Sequence, residues 1–134
     1  ETVFHDSVIA THHWSFASLK ARDEARTVEL LELLYQVPPL YHLNVPEFQQ
    51  RRAQINRHYE FFSPLHRETA LLPLTDFQWL TPDRAVQRAV FGSQVEVVAN
   101  FGQAEFQYGG ARLGGQSVLV KHRDSGKTHT YAAQ

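Results

Sequence analysis

The hydrophobic period of this chain changes near residue 70, and that change limits the possible folds more than any other feature. Between Lys20 and Gln36 apolar residues recur at three- and four-residue steps. Ala25, Val28, Leu31 and Tyr35 fall on one face, which predicts a helix. Val37-Pro38-Pro39 ends it, because proline has no amide proton for the helical ladder and holds the residue before it extended; residues 40–44 then read as a short extended or loop stretch. A second helix is expected from Pro46 to about Phe62, with Glu47 near its positive end and Phe48, Ile55, Tyr59 and Phe62 at helical spacing. Ser63-Pro64 closes this helix or begins another turn. Beyond Ala70 the pattern becomes short strands over 72–79, 85–91, 94–101, 104–108, 116–122 and 128–131, separated by Gly, Pro or Asp-Ser-Gly turns. The runs on either side of Gly92-Ser93 alternate apolar with polar residues, which describes a hairpin with one wet face.

The opening stretch, residues 2–11, mixes β-branched and aromatic residues with His5, Asp6 and Ser7 at its centre, as a buried strand does when its middle meets a site. A single strand followed by helices has no parallel neighbour within this sequence, and parallel strands need partners. The expected fold is therefore α+β: residues 1–70 as the closing strand and helices of an α/β barrel, and residues 71–134 as an antiparallel, β-sandwich-like domain. Methionine is absent, and Val3, Phe4, Val8 and Ile9 begin the strand pattern at once, so the expectation is of a segment cut from a longer chain.

At 134 residues with 43% hydrophobic content, the chain is long and apolar enough for a core. A net charge of -1 offers no electrostatic footprint for nucleic acid or an anionic membrane, and no apolar run approaches the roughly 20 residues that span a bilayer. Without cysteine there are no disulfides, thiolates or cysteine metal sites. Gly109-Gly110 and Gly114-Gly115 lack the strand, Gly-rich turn and helix that cradle a phosphate, so they read as turns and no cofactor is expected.

The chemistry concentrates in His5, Asp6, His12, His13 and Trp14, at the end of the first expected strand and in the loop after it. In an α/β barrel the loops at the C-terminal ends of the strands form the active face. Trp14 offers an aromatic surface of the kind that stacks on sugar rings, and the histidines and Asp6 can hydrogen-bond hydroxyls. Three imidazoles and a carboxylate suit a metal in type, but adjacent His12 and His13 on an extended chain point opposite ways, so none is expected. Asp6 is a lone carboxylate, whereas glycoside hydrolysis takes a pair; Asp23 and Glu24 read as the acidic first turn of the helix. No catalytic residue is assigned. The basic group Arg51, Arg52, Arg57 and His58 reads as a solvated helix face.

Three stretches, FHDSVIATHHWSFASLK, LLELLYQVPPLYHLN and FQWLTPDRAVQRAVFGSQVEVVANFG, resemble the C-terminal part of glycoside hydrolases related to families 101 and 129, the α-N-acetylgalactosaminidase groups. The most specific stretch covers Leu80 to Gly102, where Pro82 and Asp83 shape a turn and Asn100-Phe101-Gly102 ends a strand. The resemblance implies a (β/α)8-type barrel whose last strand carries a histidine–aspartate step, then helices, a Pro-Pro segment and a β-sandwich. It places His5 and Asp6 at that step and Trp14 in an aromatic loop, and it puts both catalytic carboxylates on earlier strands. Where the family pattern continues with Gly-Asp, this chain has Ser15-Phe16, an apolar ring in place of a carboxylate. The implied partners are carbohydrate and the remainder of the barrel; the alternative reading is a free-standing, non-catalytic carbohydrate-binding or interaction module.

Overall fold

The computed structural model describes residues 4–10, 25–41 and 43–133. Helices α1 (Ala25–Tyr35) and α2 (Val45–Thr69) precede seven strands: β1 (Leu74–Trp79), β2 (Val86–Phe91), β3 (Val95–Asn100), β4 (Phe106–Tyr108), β5 (Ala111–Leu113), β6 (Ser117–His122) and β7 (Thr128–Ala132). The chain is thus α+β, and among the described residues no helix is long and apolar enough to cross a membrane.

Asn44 starts α2 by a reciprocal cap, its side chain accepting from the Glu47 amide while the Glu47 carboxylate accepts from the Asn44 amide. The helix does not stop at Ser63-Pro64 but runs on to Thr69. Pro64 removes one ladder bond and sits on the exposed side, while Phe62, Leu65 and Thr69 are buried and hold the last turns down.

Five strands form an antiparallel sheet in the order β1-β2-β3-β6-β7, and β4 and β5 form a separate ribbon. Side chains alternate across the sheet, so Ala89, Phe91, Val97, Val118 and Tyr131 face Leu30, Leu33 and Leu34 of α1 and Phe62 and Leu65 of α2. On the opposite face Val86, Val98 and Leu119 lie beneath Phe106, Tyr108 and Leu113 of the ribbon. The expected sandwich thus takes a different form: one full sheet with helices on one side and a two-stranded ribbon on the other. All six residues of β3 are buried, so the hairpin expected to keep one wet face has none there. Its polar residue Glu96 is met by Arg88, which also reaches Asp76. β5 escaped the sequence reading because three residues carry too little alternation; the Gly109-Gly110 turn, with both φ angles positive at 55° and 83°, folds it back on β4.

Residues 4–10, expected as part of a buried strand, instead form a turn in which the Ser7 and Val8 amides both donate to the Phe4 carbonyl. A strand requires a paired neighbour, and among the described residues none lies beside this segment; Phe4, Val8 and Ile9 are exposed.

Candidate functional site

The turn at residues 4–10 forms one wall of a cleft of about 370 Å³, opposite the end of α1, the chain that follows it, and the last turn of α2. His5 is fixed there at both its ring face and its edge. Its ring packs on Phe91 with centroids 4.7 Å apart, and Nδ1 lies 2.8 Å from the Leu72 carbonyl oxygen. A carbonyl only accepts, so Nδ1 carries the proton and Nε2 is left as the ring's acceptor. Asp6 beside it is exposed and accepts from the Ser7 hydroxyl at 3.0 Å. The structure brings His5 and Asp6 to the same cleft; His12, His13 and Trp14 lie outside the described residues, as do Asp23 and Glu24.

The opposite wall was not foreseen from sequence. Gln36 ends α1 in the left-handed region, φ 54°, and the Val37 amide turns back to the Glu32 carbonyl at 3.0 Å, a helix stop that usually employs glycine. The side chain compensates: buried, it donates to the Leu33 carbonyl at 2.6 Å and accepts from the Thr69 hydroxyl at 3.0 Å, tying α1 to α2. His66 reaches the cleft from α2, stacked on Phe62 at 5.0 Å. Burial first, and then the nearby His5, hold its imidazole below the ordinary histidine range. The cleft therefore offers two imidazoles and a carboxylate among apolar walls, groups that hydrogen-bond hydroxyls and cover the apolar face of a ligand.

Behind the cleft, the seam between the helices holds a second titratable group that the sequence reading placed in solvent. His58, expected on a solvated basic face, is 1% exposed, and Glu29 and Glu32 of α1 are 4% and 2% exposed. The Tyr131 hydroxyl and the Gln54 amide donate to the two oxygens of Glu29, at 2.7 and 2.8 Å. Tyr41 Oη lies 3.1 Å from His58 Nδ1, and His58 Nε2 lies 3.7 Å from Glu32 Oε2. Burial, then the Glu29 charge, pushes the Glu32 carboxyl up to about 8. Burial, then the Arg57 guanidinium, pushes the His58 imidazole down to about 4. Burial thus favours the neutral form of each group, an acid facing a base across the seam. The available sequence signal was the polar spacing itself. Glu29, Glu32 and Gln36 interleave with Leu30, Leu33 and Leu34, so a helix buried on several sides has to carry its polar groups to partners.

The chain is glycoside hydrolase-like, an α+β framework with a cleft lined by His5, Asp6 and His66. It belongs to the glycosyl hydrolases related to the GH101 family, GH129, whose family model matches residues 1–90, a span that contains both helices and every wall of the cleft. No curated protein matches the chain closely enough to add to that assignment.

Proposed function

We propose that this chain is the closing part of a glycoside hydrolase acting on α-linked N-acetylgalactosamine or related glycosides, supplying part of the substrate-site wall and a supporting β domain. In this reading residues 1–70 complete an α/β barrel and residues 71–134 brace it, the two parts packing through the core shared by α1, α2 and the sheet. His5, Asp6, His12, His13 and Trp14 contact sugar. The catalytic carboxylates come from the remainder of the barrel.

The observation that carries the reading is the coincidence of the family match with the cleft around His5 and Asp6. The positions of the other acids agree with it. Glu29 and Glu32 lie within one helical turn of each other, but both are buried in the seam between the helices, where a glycosidic bond has no place. The isolated chain is expected to give no turnover of an aryl α-N-acetylgalactosaminide, and N-acetylgalactosamine at millimolar concentration is expected to shift the NMR signals of His5, Gln36 and His66. Turnover by residues 1–134 alone would refute the proposal. The alternative, a free-standing binding module, draws on Trp79, which is 55% exposed. The Arg84 guanidinium lies 4.2 Å from the centroid of its ring and covers one face of that platform. Sugar-induced shifts confined to Trp79 and Arg84 would favour the module.

A further inference from the structure

Trp79 ends the edge strand β1 with 55% of its surface exposed, and the Arg84 guanidinium lies over its ring, 4.2 Å from the centroid. The turn that joins them is tightly built. The Arg84 amide donates to the Thr81 carbonyl at 2.9 Å, the Ala85 amide to the Asp83 carboxylate at 3.0 Å, and the Val86 amide to the Thr81 hydroxyl at 3.1 Å. The residue that closes a turn of this kind takes the left-handed region and is ordinarily glycine. Here it is an arginine, at φ 62°.

That choice brings Arg84 no ionic partner within the fold. The other two residues with a side chain and a positive φ both place that side chain in a hydrogen bond, Gln36 with Leu33 and Thr69 and Gln116 with Arg26. None of the ion pairs among the described residues includes Arg84, and the neighbouring Asp83 carboxylate is turned onto its own backbone. The guanidinium is therefore laid against the indole with its N–H groups left for a partner outside the fold. A strained residue that its surroundings hold in place at an exposed position is a pointer to function.

The position of the pair indicates what that partner is. Phe77 sets its ring at right angles to Trp79 with centroids 6.2 Å apart, and it stacks on Tyr35 at 5.7 Å. Tyr35 lines the cleft, so an aromatic row leads from the cleft along β1 to Trp79. An exposed indole suits the apolar face of a sugar ring, and a guanidinium fork suits a carboxylate. Arg88 on β2 is already committed to Asp76 and Glu96, so the platform offers one cation, a match for one carboxylate rather than for a run of them.

We propose that Trp79 and Arg84 form a second sugar site, one that takes a ring bearing a carboxylate. The choice of sugar as carrier of the carboxylate rests on the glycoside hydrolase reading. The two readings remain separable, because this site reports at Trp79 and the cleft reports at His5, Gln36 and His66.

The test is an NMR titration of the full chain at pH 7, following the Trp79 indole N–H with glucuronate, glucose and acetate. Glucuronate is expected to shift it saturably at about 1–10 mM, and glucose and acetate are each expected to bind at least about tenfold more weakly, since each keeps only one of the two contacts. Arg84→Gly, which relieves the positive φ, is expected to keep or raise the parent's urea midpoint and to lose the glucuronate shift. Arg84→Lys, which removes the planar fork, is expected to lose most of it. Glucose shifting Trp79 as strongly as glucuronate would show that the arginine takes no part, and acetate doing so would show that the ring takes none; either overturns the site. A tetraglutamate peptide acting at lower concentration than glucuronate would assign the pair to an acidic protein partner instead. A glucuronate shift retained in Arg84→Gly, or a lowered urea midpoint in that variant with no glucuronate shift in the parent, would make the pair a structural prop and overturn the proposal.

Discussion

The Tyr131 hydroxyl on β7 donates to Glu29 Oε2 on α1 at 2.7 Å, joining residues 102 positions apart in the sequence inside the buried seam. Burial, then the hydrogen bond to Glu29, keeps this phenol above its ordinary range, so it remains a donor at neutral pH. Tyr131→Phe leaves a buried carboxylate one donor short. The expected cost is about 1–3 kcal/mol in urea unfolding. Tyr59→Phe, on the exposed side of α2, is expected to change stability by less than about 0.5 kcal/mol.

Two arginine contacts of similar appearance should separate sharply. Arg88 bridges Asp76 at 3.0 Å and Glu96 at 3.1 Å with side-chain exposures of 13% for the arginine and 7% for Glu96. Removing it leaves a buried charge without its partner, so Arg88→Ala is expected to cost on the order of 3 kcal/mol. Arg112 lies 3.8 Å from Glu105 with 79% of its side chain exposed. Solvent and salt screen that pair, and Arg112→Ala is expected to cost less than about 0.5 kcal/mol. Thermal unfolding of the two variants side by side tests the contrast.

Much of the architecture could be read from the sequence because periodicity reports which faces are buried. Both helices and six of the seven strands lie where alternation or helical spacing places them. What escaped depends on contacts between distant segments. His58 looks like part of a basic surface until α1 is laid against it, and Gln36 gives no local sign of the left-handed stop that glycine would have advertised. Residues 4–10 carry strand-forming side chains, but with no paired neighbour among the described residues they make a turn. In the site, His5 and Asp6 could be picked out as polar residues in an apolar run. Gln36 and His66 could not, since only the meeting of α1 and α2 brings them there.

Gly115 illustrates a constraint that φ does not reveal. A Cβ at this position would lie 2.2 Å from the Gln103 carbonyl oxygen and 2.5 Å from its carbon, so the obstacle is backbone and cannot rotate away. Gly115→Ala is expected to destabilise by about 2 kcal/mol or more. At Gly109 a Cβ meets nothing within 4 Å, so the cost of Gly109→Ala comes from its positive φ alone and is expected to be about 1 kcal/mol. Urea midpoints of both variants order the two effects.

On the acid side His58 acts in the opposite sense to Glu32. Its folded value is held down to about 4, against 6.5 unfolded, so its contribution is present above 6.5 and is lost as pH falls through about 4. In the parent, the gain of protonated Glu32 offsets part of this loss between pH 6.5 and pH 4.5. In Glu32→Gln the offset disappears, and stability is expected to fall by on the order of 3 kcal/mol from pH 6.5 to pH 4. A parallel urea series at pH 4, 5 and 6.5 reads the difference between the two slopes.

The central claim is that the cleft around His5 and Asp6 is a sugar wall of a family 129-related glycoside hydrolase, and steady-state kinetics on the enzyme containing the complete barrel test it most directly. His5→Ala removes an oriented acceptor and Asp6→Asn removes a charged one. Each is expected to lower kcat/KM for an α-N-acetylgalactosaminide about 10- to 100-fold, the loss that one or two hydrogen bonds to substrate would produce. His129→Ala, on the far edge strand, serves as the control and should leave kcat/KM unchanged. If His5→Ala and Asp6→Asn both retain the parent's kcat/KM while folding normally, the cleft is not part of the substrate site and the account fails.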